Sequence, residues 1–177
     1  PMGANDFAMS FYSSADVAGD FNLVNFNIDR DRYILIPYIK AARQINPDLR
    51  IWASPWCPPA WMKLNGHYAS RYQRNCRDDR FRNGLLESQE GHEGSDMFRI
   101  DSLHLQAYAT YFQKFIRAYR DAGIDIFAVM PQNEFNSAQV FPSCVWTARS
   151  LAQFVGQYLG PVMEQEGVEV MFGTVER

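Results

Sequence analysis

Gln132, Asn133 and Glu134 follow Pro131 at the end of the apolar run Ile126-Phe127-Ala128-Val129-Met130. A carboxyl group just past a buried strand can give a proton to a reacting atom or take one from it. In a (β/α)8 barrel the chemistry sits at the carboxyl ends of the strands, so a polar cluster there reads as function. Glu134 is the leading candidate for general acid/base work, although a lone glutamate after a strand is more often a surface or capping carboxylate. Gln132 either orients its neighbours through hydrogen bonds or is a satisfied structural amide. Glu176, after the run Val168–Phe172, offers a second carboxylate.

Other chemistries have less support. His67, His92 and His104 lie far apart with no HExxH spacing, and Cys57, Cys76 and Cys144 are odd in number with no CxxC, which predicts neither a metal site nor a disulfide scaffold. A Schiff-base aldolase needs a lysine at a strand end, whereas Lys40, Lys63 and Lys114 fall in predicted helices or loops. No GxGxxG or GxxxxGK[ST] follows a strand, so no nucleotide is expected, nor any other cofactor.

The composition agrees with a neutral ligand. At 47% hydrophobic and 21% charged the 177-residue chain is too apolar to be disordered and long enough for one core. Its net charge is −3, and the arginines between 71 and 82 are interrupted by Asp78 and Asp79, which argues against nucleic acid as a partner. No apolar run approaches the roughly 20 residues needed to cross a bilayer. Because the chain opens on Pro1, it is expected to be an internal fragment, and the missing leader then says nothing about secretion.

The elements that must position Glu134 come from periodicity. Leu49–Ala53, bracketed by Pro47 and Pro55, reads as a buried parallel strand, as do Ile126–Met130 and Val168–Phe172. Tyr108, Phe112, Phe115, Ile116 and Tyr119 recur at helical spacing between an Asp101-Ser102 cap and Gly123. A second helix runs from Thr147 to Gly167, with a kink expected at Gly160-Pro161, and a third from Asp31 to Ile45, where Pro37 marks either a kink or a first turn. Helices alternating with strands, without hairpin signals, predict an α/β fold with parallel strands, either a barrel or an open doubly wound sheet. The polar connection Met62–Ile100 is about forty residues, far longer than usual, and either shapes a cleft or is a solvated insertion.

Read along the strand ends, Pro1-Met2-Gly3-Ala4-Asn5-Asp6-Phe7, Ala53-Ser54-Pro55-Trp56-Cys57-Pro58-Pro59-Ala60-Trp61-Met62-Lys63, Gln132-Asn133-Glu134, Pro142-Ser143-Cys144 and Tyr158-Leu159-Gly160-Pro161 resemble glycoside hydrolase family 30 in colinear order. The resemblance implies a partial (β/α)8 TIM barrel, from about the end of strand two to strand five, all of residues 1–177 belonging to that one catalytic domain. The parent protein would add a β-sandwich. It implies a retaining β-glycosidase acting on β-1,6-glucan or glucosylceramide-like substrates, secreted, periplasmic or lysosomal. Glu134 matches the acid/base, Asn133 the donor to the sugar 2-hydroxyl, Asp6 a hydroxyl-binding aspartate and Trp56 a sugar-contacting tryptophan. The nucleophile falls on strand seven, beyond Arg177, and is therefore not Glu176. Two positions depart from the family pattern: Phe135 stands where proline is common, and Cys57 where serine is.

Without the resemblance, Asp6 reads as a turn residue and Trp56, Trp61 and Trp146 as packing. A rival function is a non-catalytic carbohydrate-binding protein on the same fold, which keeps Asp6 and Trp56 but has no use for the Asn133-Glu134 pair.

Overall fold

The computed structural model describes residues 1–7, 10–78 and 82–176; Asp79, in the interrupted arginine stretch, lies outside them. Among these residues β1 (Ile51–Ala53), β2 (Ile126–Val129) and β3 (Glu169–Val170) form a parallel sheet in the order β1-β2-β3. Each strand lies inside one of the apolar runs, and pairing continues past the strands at their carboxyl ends. The Met130 N–H donates to the Ala53 carbonyl at 2.9 Å and the Met171 N–H to the Val129 carbonyl at 2.9 Å. The Met2 N–H donates to the Ser54 carbonyl at 2.9 Å, which draws the first residues alongside the end of β1.

Register decides what each face of the sheet meets. Ala53, Val129 and Val170 share one row and pack into the core with the helices. Trp52, Ala128 and Glu169 form the neighbouring row, which must take the opposite face because successive side chains alternate. Trp52 is 46% exposed there.

The first helical stretch is two pieces, α1 (Asp29–Tyr33) and α2 (Leu35–Ile45), broken at Ile34 where φ is −122° and ψ −69°. Pro37 is the third residue of α2, a place where its missing N–H has no intrahelical partner to lose. Helix α3 (Ser102–Asp121) is capped by the Asp101 carboxylate, which accepts the His104 N–H at 3.1 Å, and Gly123 closes it at φ +81°. Its apolar stripe of Tyr108, Phe112, Phe115, Ile116 and Tyr119 is buried throughout.

Helices α4 (Ala148–Phe154) and α5 (Gly160–Glu166) are joined by a π turn over Val155–Leu159 rather than by a simple kink. Pro161 has no N–H to offer the preceding turn, so the coil widens and the Gly160 N–H reaches back five residues to the Val155 carbonyl. A side chain at Gly160 would begin 2.8 Å from that oxygen. Trp146, just ahead of α4, is buried and stacks on Phe98 with ring centroids 4.4 Å apart, while Phe154 stacks on Tyr108 at 5.2 Å. Trp146 is therefore a packing residue.

The long connection is docked at several points along its described residues. The Leu64 N–H donates to the Met97 carbonyl at 2.8 Å, and the Ser70 and Arg71 N–H groups donate to the Gln139 carbonyl at 3.0 and 2.9 Å. Asn83 Nδ2 ties Arg71 to Val140, with both carbonyls 2.9 Å away. The connection thus packs against the loop that follows Glu134. Among the described residues no helix is long and apolar enough to cross a membrane.

Candidate active site

Gln132, Asn133 and Glu134 lie at the carboxyl end of β2, where bonds to both neighbouring strand ends hold them. Toward β1, the Asn133 N–H donates to the Pro55 carbonyl at 2.9 Å, and the fully buried Gln132 sends Nε2 to the Trp56 carbonyl at 2.6 Å and to the Asn133 carbonyl at 2.9 Å. Gln132 is thus a tie between the β1 and β2 ends, and its Oε1 is buried without a partner. Toward β3, the Thr174 hydroxyl donates to Asn133 Oδ1 at 2.9 Å and accepts the Glu134 N–H at 3.2 Å.

Glu134 is half-buried and adopts φ +45°, in the left-handed region that a β-carbon disfavours. The turn that needs this conformation is closed by the Ser137 N–H on the Glu134 carbonyl at 3.0 Å. Strained backbone held by its surroundings is a mark of functional sites, and here the supports come from β3 as well as from the loop itself.

Of the other sequence candidates, Trp56 is half-buried directly above β1, and its carbonyl is the one Gln132 grips. Asp6 is exposed in the segment that the Met2 bond aligns with β1, and its neighbour Asn5 accepts the Phe7 N–H at 2.8 Å in a turn. Asn133 and Glu134 are thus tied to Trp56 through Gln132, whereas Asp6 shares the sheet edge without a bond to that network. Trp61 is a packing residue: its ring meets Phe21 edge-on at 5.2 Å and its Nε1 donates to the Ala15 carbonyl at 2.9 Å.

Lys63 is fully buried beside this site. Its ammonium reaches the carbonyls of Tyr68, Ala69 and Ser143 at 3.0, 3.1 and 2.7 Å and Ser70 Oγ at 3.2 Å, so it pins the long connection to the loop after Glu134. Burial pushes the Cys57 thiol up to about 11, with Lys63 opposing the shift. Cys57 is therefore a protonated thiol at neutral pH and no nucleophile. Cys57, Cys76 and Cys144 are all unpaired with one another, and among the described residues no group of three or more His, Cys, Asp or Glu side chains is placed to hold a metal.

Sequence reasoning missed Thr174 and Gly173. A β-carbon on Gly173 would stand 2.4 Å from the Gln132 carbonyl oxygen, so only glycine lets the β3 end pass close enough for Thr174 to reach Asn133. Nothing local signals this, because the partners are 40 or more residues apart and meet only through the β2–β3 register. Glu176 is engaged in the same clasp: its carboxylate accepts the Ser137 hydroxyl, and its N–H donates to Asn136 Oδ1 at 3.3 Å.

Parallel strands joined by helical crossovers, with an amide-carboxylate pair at a strand's carboxyl end, fit a segment of a (β/α) barrel. The glycosyl hydrolase family 30 TIM-barrel domain matches residues 1–172, and the chain belongs to that family. Lysosomal acid glucosylceramidase of Mus musculus is 30% identical over 176 residues, covering 96% of this chain and 30% of that protein. Endo-1,6-beta-D-glucanase neg1 of Aspergillus fumigatus is 31% identical over 173 residues, covering 95% and 33%. The crystal structure of SrfJ from Salmonella typhimurium superposes with a TM-score of 0.74 at 25% identity, over 97% of this chain and 34% of that one. The chain therefore spans about a third of the length of these relatives.

Proposed function

We propose that this chain is the acid/base-bearing part of a retaining β-glycosidase that hydrolyses β-glucosidic bonds, with β-1,6-glucan or glucosylceramide-like molecules as substrates. It would be a single catalytic unit from about the end of strand two to strand five of the barrel, in a parent that adds a β-sandwich. The observation that carries the reading is the placement of Asn133-Glu134 at the end of β2, bonded to the ends of β1 and β3, in a family 30 chain.

In this reading Glu134 protonates the glycosidic oxygen as the bond breaks, and a second carboxylate about 5 to 5.5 Å away forms the glycosyl-enzyme intermediate. Glu134 then takes a proton from the incoming water and returns to its starting state. Asn133 donates to the 2-hydroxyl, a contact that strengthens as the ring flattens and so raises rate more than affinity. Trp56 offers a flat face to the sugar and Asp6 accepts from its hydroxyls. Glu176 is not assigned as nucleophile, and its bond to Ser137 gives it a structural task. No cofactor is required by this chemistry.

The test is Glu134→Gln in the protein expressed from its complete reading frame. Turnover of an unactivated β-glucoside should fall by about two to four powers of ten, with a smaller effect on glycosylation by substrates whose leaving groups need no proton. Equal and small losses on both substrate types would remove Glu134 as the proton donor.

A further inference from the structure

The reading above needs Asn133 to present the donor end of its amide, and a terminal amide can rotate by half a turn to present oxygen instead. Two hydrogen bonds at Thr174 remove that freedom. The Glu134 N–H is committed to Thr174 Oγ1 at 3.2 Å, which occupies a lone pair of the hydroxyl and leaves its single proton to be donated. That proton goes to Asn133 Oδ1 at 2.9 Å. With Oδ1 held toward β3, Nδ2 is turned to the other side. The Asn133 backbone cannot swing to compensate, because its N–H is fixed on the Pro55 carbonyl at 2.9 Å. Gly173 permits the close approach, since any side chain there would collide with the Gln132 carbonyl oxygen 2.4 Å from its β-carbon.

We infer that Thr174 is a positioning residue for the reaction: it sets which end of the Asn133 amide faces the substrate and, through the same oxygen, holds the backbone of Glu134. The proposal rests on the glycosidase reading and goes beyond it, because it assigns a function to a side chain that touches no substrate. It also explains why the end of β3 lies over the catalytic loop. A hydroxyl is required at residue 174, whereas the methyl group is not.

The experiment compares Thr174→Val, Thr174→Ser and Asn133→Ala in the protein from its complete reading frame, on an aryl β-glucoside and on its 2-deoxy counterpart. Thr174→Val keeps the shape and loses the hydroxyl, and should lower kcat/KM on the glucoside by about three- to tenfold, the usual range for one net hydrogen bond. The loss should fall on kcat rather than KM, be smaller on the 2-deoxy substrate, where only the hold on Glu134 is felt, and shrink to that remainder when Asn133→Ala is already present. Thr174→Ser should restore the wild-type rate. A Thr174→Val loss of equal size on both substrates, or one undiminished beside Asn133→Ala, would mean that Thr174 does not act through the Asn133 amide and would overturn the proposal. So would a silent Thr174→Val in an enzyme where Asn133→Ala is costly. If Thr174→Val does not fold, the Ser variant and the Asn133→Ala substrate comparison still decide, since a serine without activity also refutes the requirement for a hydroxyl alone. An Asn133→Ala variant that treats both substrates as wild type does would instead remove the glycosidase role of Asn133 itself, and the proposal with it.

Discussion

Gln132 has two settled hydrogen bonds and one unmet one, which makes its side chain the most consequential amide at the site that is not itself proposed to meet the sugar. Replacing it with leucine leaves the Trp56 carbonyl without its donor and removes one of the ties between the β1 and β2 ends. Gln132→Leu should cost about 1 to 3 kcal/mol in denaturant unfolding, and should raise KM more than it lowers kcat if Trp56 is the part that moves. Glutamate at this position would be worse, since the amide proton that bridges the strands is lost and a charge is buried in its place. The sequence reading singled out Glu134 because a carboxylate just past an apolar run is a local signal, and Asn133 through the family resemblance. It left Gln132 open because an amide looks the same whether it bridges strands or only fills its own bonds. Thr174 was invisible for a different reason: its importance depends on the alignment of β3 with β2, which is a tertiary fact.

At the scale of elements, the strands and α3 were legible because short apolar runs between prolines and a three-four stripe after an aspartate are properties of adjacent residues. The π turn was half legible: Gly160-Pro161 announces an interruption, but whether a helix kinks or widens depends on what packs beside it. The docking of the long connection was not legible, since Lys63 binds carbonyls, which every residue carries. Lys63→Met should therefore behave as a core defect, leaving the carbonyls of Tyr68, Ala69 and Ser143 short of a buried donor. A loss of about 3 kcal/mol in unfolding experiments is expected, with proteolysis beginning in the 66–95 region. Helices α3 and α5 are joined by a second polar tie, in which Glu166, whose side chain is only 4% exposed, receives Arg117 at 2.6 Å and Arg120 at 3.0 Å. Its hydrogen bond from Arg117 holds the Glu166 carboxyl below the usual carboxylate range, against the opposing effect of burial. A depressed folded-state value means that the stabilisation is present above the unfolded value of about 4.3 and is lost as pH falls through the folded one. Glu166→Gln should consequently be less stable than wild type at neutral pH, and the gap should close as the solution is taken below about pH 4.

For the whole molecule, the sheet has two rims. Beyond β3 lies an apolar groove of about 450 Å³ lined by residues that include Phe135, Leu151, Val155, Met171 and Phe172, and Phe172 is 76% exposed. Trp52 is likewise uncovered on the face opposite the helices. A strand row and a groove of this kind are what neighbouring barrel units normally bury. Residues 1–177 expressed alone should therefore bind a hydrophobic dye, associate in solution and hydrolyse no β-glucoside; a monomeric product with turnover would contradict both the assignment of the chain as part of a barrel and the need for a further carboxylate. The left-handed backbone of Glu134 bears on the same free energy from the opposite side. At φ +45° a glycine is at ease and a glutamate is not, so Glu134→Gly should raise the melting temperature, by the equivalent of about 1 kcal/mol, and on the glycosidase reading it removes the proton donor. On the glycosidase reading, a glutamate at this conformationally unfavourable position trades robustness for reactivity.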